Sequence, residues 1–184
     1  IFWRNSKLNF RNKVSLLKSL EERPHKDWLR RINECQDEKV LKYFLKEATN
    51  LEIQDNSEVL QILWECCQIP DFVKKTYGHH FEVVSKIFNF LTSKNKKVPN
   101  HYMKEQLSLL DKLDGNVDSL SNRIANVRTW AYVSNKSNWV ENQDYWIERT
   151  KNLEDKLSDR LHEELTKTFI DKRASVLARG LKQD

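Results

Sequence analysis

The sequence predicts an all-α protein, an irregular array of about seven to eight helices that ends in two long helices. Only three Gly and three Pro occur among 184 residues, so few positions can interrupt a helix. Hydrophobic residues make up 39% and charged residues 32% of the chain, which is too apolar for a disordered protein. We therefore expect residues 1–10 to form a short lead-in and residues 11–184 a single helical domain.

The N-terminal part of the chain predicts two short helices after the lead-in. Residues 1–10 are apolar and basic and are expected to be extended. Val14, Leu17 and Leu20 mark one face of a first helix, which Pro24 ends. A second short helix is predicted around three apolar residues, Trp28, Leu29 and Ile32.

Three further helices are predicted before residue 97. Asp37 is expected to cap the third helix of the chain. Asp55 and Glu58 form a pair like a capping box in front of the fourth helix, which stops before Pro70. The fifth helix covers about residues 79–93.

The C-terminal half predicts a helix over about residues 100–113 and then two long helices, over about 117–136 and from about 142 to beyond 173. The first long helix has an apolar stripe of Val117, Leu120, Ile124, Val127 and Ala131. The second carries Trp146, Leu153, Leu157, Leu161, Leu165 and Phe169. Steps of four residues advance about 40° each around a helix. We therefore expect this helix to cross or wrap several others, which disfavours a simple coiled coil.

Enzyme and metal motifs are scarce. The sequence has no phosphate-binding loop, no dinucleotide fingerprint and no nucleophile elbow, so no catalytic residue and no cofactor site are predicted in this chain. A zinc site could be built from Cys66, Cys67, His79 and His80, but adjacent cysteines lack the usual ligand spacing, and two buried thiols are the favoured interpretation.

His162 is interpreted as a surface or packing residue. The three cysteines favour a reducing compartment, and no apolar run is long enough to span a membrane.

Basic and aromatic residues concentrate in the two long helices. The net charge of +5 and the pI of about 9.0 are compatible with nucleic-acid binding. Arginines bind phosphates and aromatic rings stack on unpaired bases. The candidate contacts to nucleic acid or to another domain are Arg123, Arg128, Trp130, Tyr132, Arg149, Lys172 and Arg173. The alternative is that Trp130 fills the core and that the arginines pair with Glu154, Asp155, Asp159 or Asp171.

Three blocks of sequence resemble a known family. The first is Trp3-Arg4-Asn5, with Leu8 and Phe10. The second, Leu63-Trp64-Glu65-Cys66-Cys67-Gln68-Ile69-Pro70-Asp71-Phe72, is similar to the signature W-E-x-C-Q-I-P-D-[FY]. The third runs from Asp114 to Arg173. Together they resemble the C-terminal helical region of bacterial relatives of the mitochondrial degradosome (suppressor-of-Var) RNA helicase, a superfamily-two DExH-box enzyme.

The resemblance implies an accessory domain of an ATP-dependent RNA helicase in the cytoplasm. Such a domain packs on the motor domains of its own chain and helps guide single-stranded RNA. ATP and Mg²⁺ would bind in motor domains that precede Ile1, since the chain starts without Met and is expected to be a piece of a longer protein. Trp3 and Arg4 would dock on the motor, and an exoribonuclease is a further implied partner. The alternative is a helical scaffold for protein–protein contacts, which would present an exposed apolar patch.

Overall fold

Seven helices and one two-stranded sheet make up the described chain, which confirms the predicted all-α class with two long C-terminal helices. The structure is a computed structural model, and it describes residues 1–47 and 55–183. In chain order the elements are β1 (Phe2–Trp3), α1 (Lys13–Glu21), β2 (Arg30–Arg31), α2 (Gln36–Glu47), α3 (Ser57–Cys67), α4 (Tyr77–Leu91), α5 (Asn100–Leu110), α6 (Val117–Asn135) and α7 (Gln143–Gln183).

The chain divides into two compact units. The first consists of Ile1–Pro70 and Lys75–Lys97, and the second of Asp71–Lys74 and Val98–Asp184. The lead-in therefore belongs to the first unit and is extended where it forms β1. A single domain over residues 11–184 stays a prediction.

The predicted second short helix is wrong, because its residues pair with the lead-in as β2. The two strands are parallel, with Phe2 opposite Arg30 and Trp3 opposite Arg31. The amide of Ile32 donates to the carbonyl of Trp3 at 2.9 Å. Trp28 is 59% exposed, so it does not supply the buried face that a helix at this position would need.

Side-chain caps set the starts of several helices. Asn56 caps α3, since its Oδ1 accepts the amides of Glu58 and Val59. The predicted pairing of Asp55 with Glu58 as a capping box is therefore wrong. Asp37 lies in the first turn of α2 rather than ahead of it, and its carboxylate accepts the amide of Glu38 at 2.8 Å.

The core of the first unit is apolar and aromatic. Phe44 of α2 lies against Phe81 and Phe88 of α4, with ring centroids 4.3 and 6.0 Å away. Cys66 and Cys67 are buried at the end of α3, as the favoured interpretation predicted. The largest fully buried side chains of this unit are Leu16, Leu20, Leu41, Leu45, Leu60, Leu63, Ile69 and Ile87.

The second unit is built on the pair of long helices α6 and α7. The predicted stripe of α6 faces the core, with Leu120, Ile124 and Val127 buried and Val117 and Ala131 half-buried. The start of α7 is fixed by Trp146, whose Nε1 donates to Asn100 Oδ1 at 2.9 Å. Further along α7, Thr150, Leu153 and Leu157 are buried.

The prediction that the second long helix wraps several others is wrong for the distal half of α7, residues 163–183. α7 has 41 residues and α6 has 19, which correspond to roughly 62 and 28 Å of helix. Because α6 is so much shorter, the side chains of α7 from residue 169 to residue 182 are all exposed. In the described chain, no helix is both long enough and apolar enough to cross a membrane.

Gly115 makes the turn between α5 and α6, and its substitution should be costly. Its φ is +110°, and a Cβ there would lie 3.0 Å from Ser119 Cβ. Gly115→Ala should therefore lower the free energy of unfolding by about 1–3 kcal/mol. Gly78 in α4 has open space around it, so Gly78→Ala should be neutral or slightly stabilising. Urea denaturation of both variants checks this, and equal effects would contradict it.

Candidate nucleic-acid and interdomain interface

Arg123 holds the connection between α5 and α6. Its Nη1 donates to the carbonyl of Lys112 at 2.8 Å and also to the carbonyl of Asp114. Its Nη2 lies 3.9 Å from the Asp114 carboxylate, and the Arg123 side chain is only 19% exposed. Its Nη1 is therefore occupied by two backbone carbonyls, and the low exposure of the side chain leaves little of this guanidinium for a phosphate.

Arg149 belongs to an ion cluster around Asp111 at the end of α5. Arg149 Nη2 donates to Asp111 Oδ2 at 2.9 Å, and Lys156 Nζ lies 2.5 Å from Asp111 Oδ1. The hydrogen bonds from Lys156 and Arg149 hold the pKa of Asp111 below its ordinary value, against the opposing effect of burial. Two cations on α7 thus share one carboxylate on α5, which braces the two helices.

Among Arg123, Arg128 and Arg149, the most accessible side chain is that of Arg128. Its Nε donates to Glu154 Oε1 at 2.9 Å and so links α6 to α7. The Arg128 side chain is nevertheless 55% exposed, whereas that of Glu154 is 28% exposed. An exposed ion pair of this kind is weak, and a phosphate can compete for the guanidinium.

The two candidate aromatic residues lie in different environments. Trp130 is 4% exposed, and its ring meets Tyr102 edge-to-face at a centroid distance of 5.7 Å. It fills the core, as the alternative interpretation predicted, and has no free face for a base. Tyr132 is half-buried, with Lys136 Nζ 5.5 Å from its ring centroid.

Lys172 and Arg173 lie on the distal half of α7, where both are exposed. Arg173 Cζ is 5.8 Å from the centroid of the Phe169 ring, which is itself 60% exposed. These two cations are well beyond the part of α7 that carries Arg149. The candidate residues of the sequence therefore do not converge on one pocket.

Arg4, predicted to dock on a motor domain, is engaged inside the first unit. Its Nη1 lies 2.8 and 3.0 Å from the two carboxylate oxygens of Asp37. It also lies 3.8 Å from Glu38 Oε1, and its Cζ is 5.5 Å from the Trp64 ring centroid. Trp3 is half-buried and takes part in the sheet through its backbone.

A cation site can be considered at Cys35, Asp37 and Glu38, whose ligand atoms lie within 4.8 Å of one another. Arg4 and Arg31 approach the same carboxylates, at 2.8 Å from Asp37 and 3.7 Å from Glu38. These guanidinium groups already neutralise the carboxylates, which disfavours a bound metal ion. The four residues of the zinc alternative do not form such a group in the described chain.

Sequence reasoning missed the roles of Asp111 and Glu38. Asp111 stands outside the apolar periodicity, and its partner Arg149 is 38 residues away. Glu38 lies three and seven residues before Leu41 and Leu45, on the apolar side of α2, and is 1% exposed; burial raises its pKa while Arg31 and Arg4 lower it. Nothing in the spacing of these residues indicates such long-range pairs.

Comparison with known proteins gives no assignment, because no family model, curated protein or solved structure matches this chain.

Proposed function

We propose that this chain is the C-terminal accessory domain of an ATP-dependent RNA helicase. In this role it packs on the motor domains and guides single-stranded RNA, while ATP and Mg²⁺ bind in the motor domains and not here. The proposed location is the cytoplasm. The proposal rests first on the three sequence blocks, and the structure adds one observation to them.

That observation is the contact between the first two blocks. Arg4 of the block Trp3-Arg4-Asn5 lies over the ring of Trp64, the tryptophan of the second block, and its Cζ is 5.5 Å from the ring centroid. Trp64 is 6% exposed, so the guanidinium of Arg4 makes a cation–π contact with a buried ring. Two of the three blocks that carry the family resemblance are therefore in contact within the first unit.

Arg128 is the residue that we propose to contact RNA. Arg123 and Arg149 are occupied by backbone carbonyls and by Asp111, whereas more than half of the Arg128 side chain is open to solvent. A guanidinium on the surface of α6 can donate two hydrogen bonds to a phosphate. The proposed role of Arg123 and Arg149 is to hold α5, α6 and α7 in place around it.

The test compares two variants that break the same ion pair. Arg128→Gln removes the cation, and Glu154→Gln removes its partner but leaves the cation in place. Fluorescence anisotropy with a labelled oligouridylate of about 15 nucleotides would be measured for the chain at about 50 and 200 mM salt. Circular dichroism and urea denaturation would check that both variants fold.

We expect Arg128→Gln to weaken RNA binding at low salt and Glu154→Gln to leave it unchanged or to strengthen it. Both variants should lose the same small stability, on the order of 0.2–1 kcal/mol, because each removes one exposed ion pair. Equal RNA affinities for the two variants, or binding that is insensitive to salt, would contradict the strand-guiding role of Arg128.

A second candidate function, a helical scaffold for protein–protein contacts, is favoured by a specific observation. The distal half of α7 exposes apolar residues, of which Phe169, Val176 and Leu177 are each 60% exposed or more. Exposed apolar patches of this kind mark interaction surfaces. Both functions can belong to one chain, because Arg128 and this surface lie on different helices.

A further inference from the structure

The distal half of α7 presents an exposed apolar face that no other described element covers. Six apolar residues between residues 165 and 181 are exposed by 48% to 79% of their surface. They are Leu165, Phe169, Ile170, Val176, Leu177 and Leu181. Soluble proteins rarely leave so many large apolar side chains together on one helix, so this face is expected to have an occupant.

The face is straight and points away from α6. Phe169 and Val176 are seven residues apart, as are Ile170 and Leu177, and this spacing keeps a stripe aligned along a partner helix. Successive residues of an α-helix are about 100° apart around its axis. By this spacing, the centre of the stripe lies on the opposite side of α7 from Leu153 and Leu157, which are buried in the second unit. The distal face is therefore separate from the surface that α7 uses for its own fold.

The size of the face is adequate for a specific interface. From residue 165 to residue 181 it extends about 24 Å along the helix. If each of the six side chains contributes on the order of 100 Å², a matching partner would bring the total buried area to on the order of 1,200 Å². This value is at the lower end of the range for stable protein–protein interfaces, about 1,200–2,000 Å².

The charges around the face indicate the chemistry of the occupant. Between residues 165 and 183 there are five cations and one carboxylate, Asp171. The cations are Lys167, Lys172, Arg173, Arg179 and Lys182, and all five are exposed. Among the described residues, no carboxylate lies within ion-pair distance of them. An occupant therefore gains most if it carries carboxylates beside its apolar residues.

Other occupants fit less well. A second copy of this chain would place the same excess of cations on the opposite side of the interface. A lipid bilayer would have to accept Arg173, which lies near the middle of the apolar sector when residues are spaced about 100° apart, whereas a protein partner can place a carboxylate opposite this guanidinium. A nucleic acid would satisfy the cations but would leave the six apolar side chains in water.

We propose that residues 165–181 of α7 form a docking surface for an amphipathic helix of a partner protein, one whose apolar stripe is flanked by Asp and Glu. The two apolar stripes pack against each other, and the carboxylates pair with Lys167, Lys172 and Arg179 at the borders of the face and with Arg173 within it. This inference extends the scaffold function. It does not depend on RNA binding, because Arg128 is outside the surface.

The experiment uses two synthetic helical peptides as probes. Both are about three heptads long and carry Leu at the a and d positions, and one has Glu and the other Lys at the e and g positions. Like charges keep each peptide from pairing with itself. Anisotropy of the labelled peptides would be measured with the whole chain and with two variants, while sedimentation velocity would report the oligomeric state.

We expect the Glu peptide to bind about tenfold more tightly than the Lys peptide, and increasing salt to reduce this difference. The triple variant Lys167→Glu/Lys172→Glu/Arg179→Glu should reverse the preference. The double variant Phe169→Ser/Leu177→Ser should lose both peptides. All five substituted residues are exposed, so helix content by circular dichroism should stay unchanged.

Several outcomes would overturn the inference. Equal affinity for the two peptides would show that the cations do not select the partner. No binding of either peptide would show that residues 165–181 are not a docking surface. Self-association that Phe169→Ser/Leu177→Ser abolishes would assign the face to a second copy instead. Binding to vesicles that contain phosphatidylserine, with loss in the same double variant, would assign it to a lipid surface.

Discussion

Trp130→Ala should lower the free energy of unfolding by about 3–5 kcal/mol, because it empties a large volume between α5 and α6. Trp130 is 4% exposed, and its ring meets Tyr102 edge-to-face at 5.7 Å with an interplanar angle of 76°. The aromatic contact adds to the loss of burial. Such a change is a large part of the stability of a typical domain, about 5–15 kcal/mol. Urea denaturation followed by circular dichroism measures it.

Two variants serve as controls for the Trp130 prediction. Trp130→Phe keeps an aromatic ring in the core and should cost clearly less than the alanine variant. Leu109→Ala, on the exposed side of α5, should change stability by less than about 0.5 kcal/mol, since Leu109 is 59% exposed. If Trp130→Ala were as mild as Leu109→Ala, Trp130 would not be a core residue, and base stacking on it would have to be considered again.

Arg4→Met should lower the free energy of unfolding by about 2–4 kcal/mol at neutral pH, because it removes the cation paired with Asp37 and one of the two cations beside the buried Glu38. Arg4 approaches Asp37 at 2.8 Å and Glu38 at 3.8 Å, and the Glu38 side chain is 1% exposed. Arg31 remains as the other cation beside Glu38, at 3.7 Å. Arg4→Lys keeps the charge but loses the planar guanidinium that lies over Trp64, so it should lower the free energy of unfolding by less than Arg4→Met.

The effect of Arg4→Met should depend on pH in a defined direction. Burial raises the pKa of Glu38 above its ordinary value, while Arg31 and Arg4 act against that shift. A carboxyl with a raised pKa stabilises the fold at low pH, and this contribution is lost as the pH rises through its pKa in the folded state. Removing Arg4 raises that pKa further. The difference in the free energy of unfolding between the wild type and Arg4→Met should therefore be largest at neutral pH.

A rescue experiment separates charge burial from lost packing. Glu38→Gln in the Arg4→Met background removes the buried carboxylate that is left with Arg31 alone and should recover part of the lost stability at neutral pH. Chemical denaturation between about pH 4 and pH 7 would measure all of these variants. If the loss of unfolding free energy in Arg4→Met did not change with pH, and the double variant regained none of it, Arg4 would act mainly by packing on Trp64.

The periodicity of the sequence was sufficient for the helices but not for the sheet. Leu120, Ile124 and Val127 recur at helical spacing, and they are buried on α6 as predicted. Arg30 and Arg31 instead form a strand, because their backbone partners are Phe2 and Trp3, far away in the chain. Local spacing contains no information on such a pairing.

A related limit explains the distal half of α7. Leu165 and Phe169 continue the apolar pattern of Leu153 and Leu157, so the sequence predicted that all of them would be covered by the fold. The structure buries Leu153 and Leu157 but leaves Leu165 and Phe169 48% and 60% exposed. An apolar stripe indicates that a surface is to be covered, but its spacing does not tell whether the cover is another helix of the same chain or a partner.

The candidate site was predicted only in part. The arginines of α6 and α7 could be identified by residue type, and the pairing of Arg128 with Glu154 was among the alternatives. The pairing of Arg149 with Asp111 could not be predicted, since it depends on how α7 lies against the end of α5. Exposure separates the braced arginines from Arg128, and exposure follows only from the packed structure.

The salt dependence of RNA binding by Arg128→Gln and Glu154→Gln tests the central proposal most directly. For single strands the slope of log K against log salt changes by about 0.7 for each phosphate contact. If Arg128 guides the strand, Arg128→Gln should have a slope that is shallower than that of the wild type by about this amount, and Glu154→Gln should keep the wild-type slope. Identical slopes for the wild type and both variants would contradict the proposal.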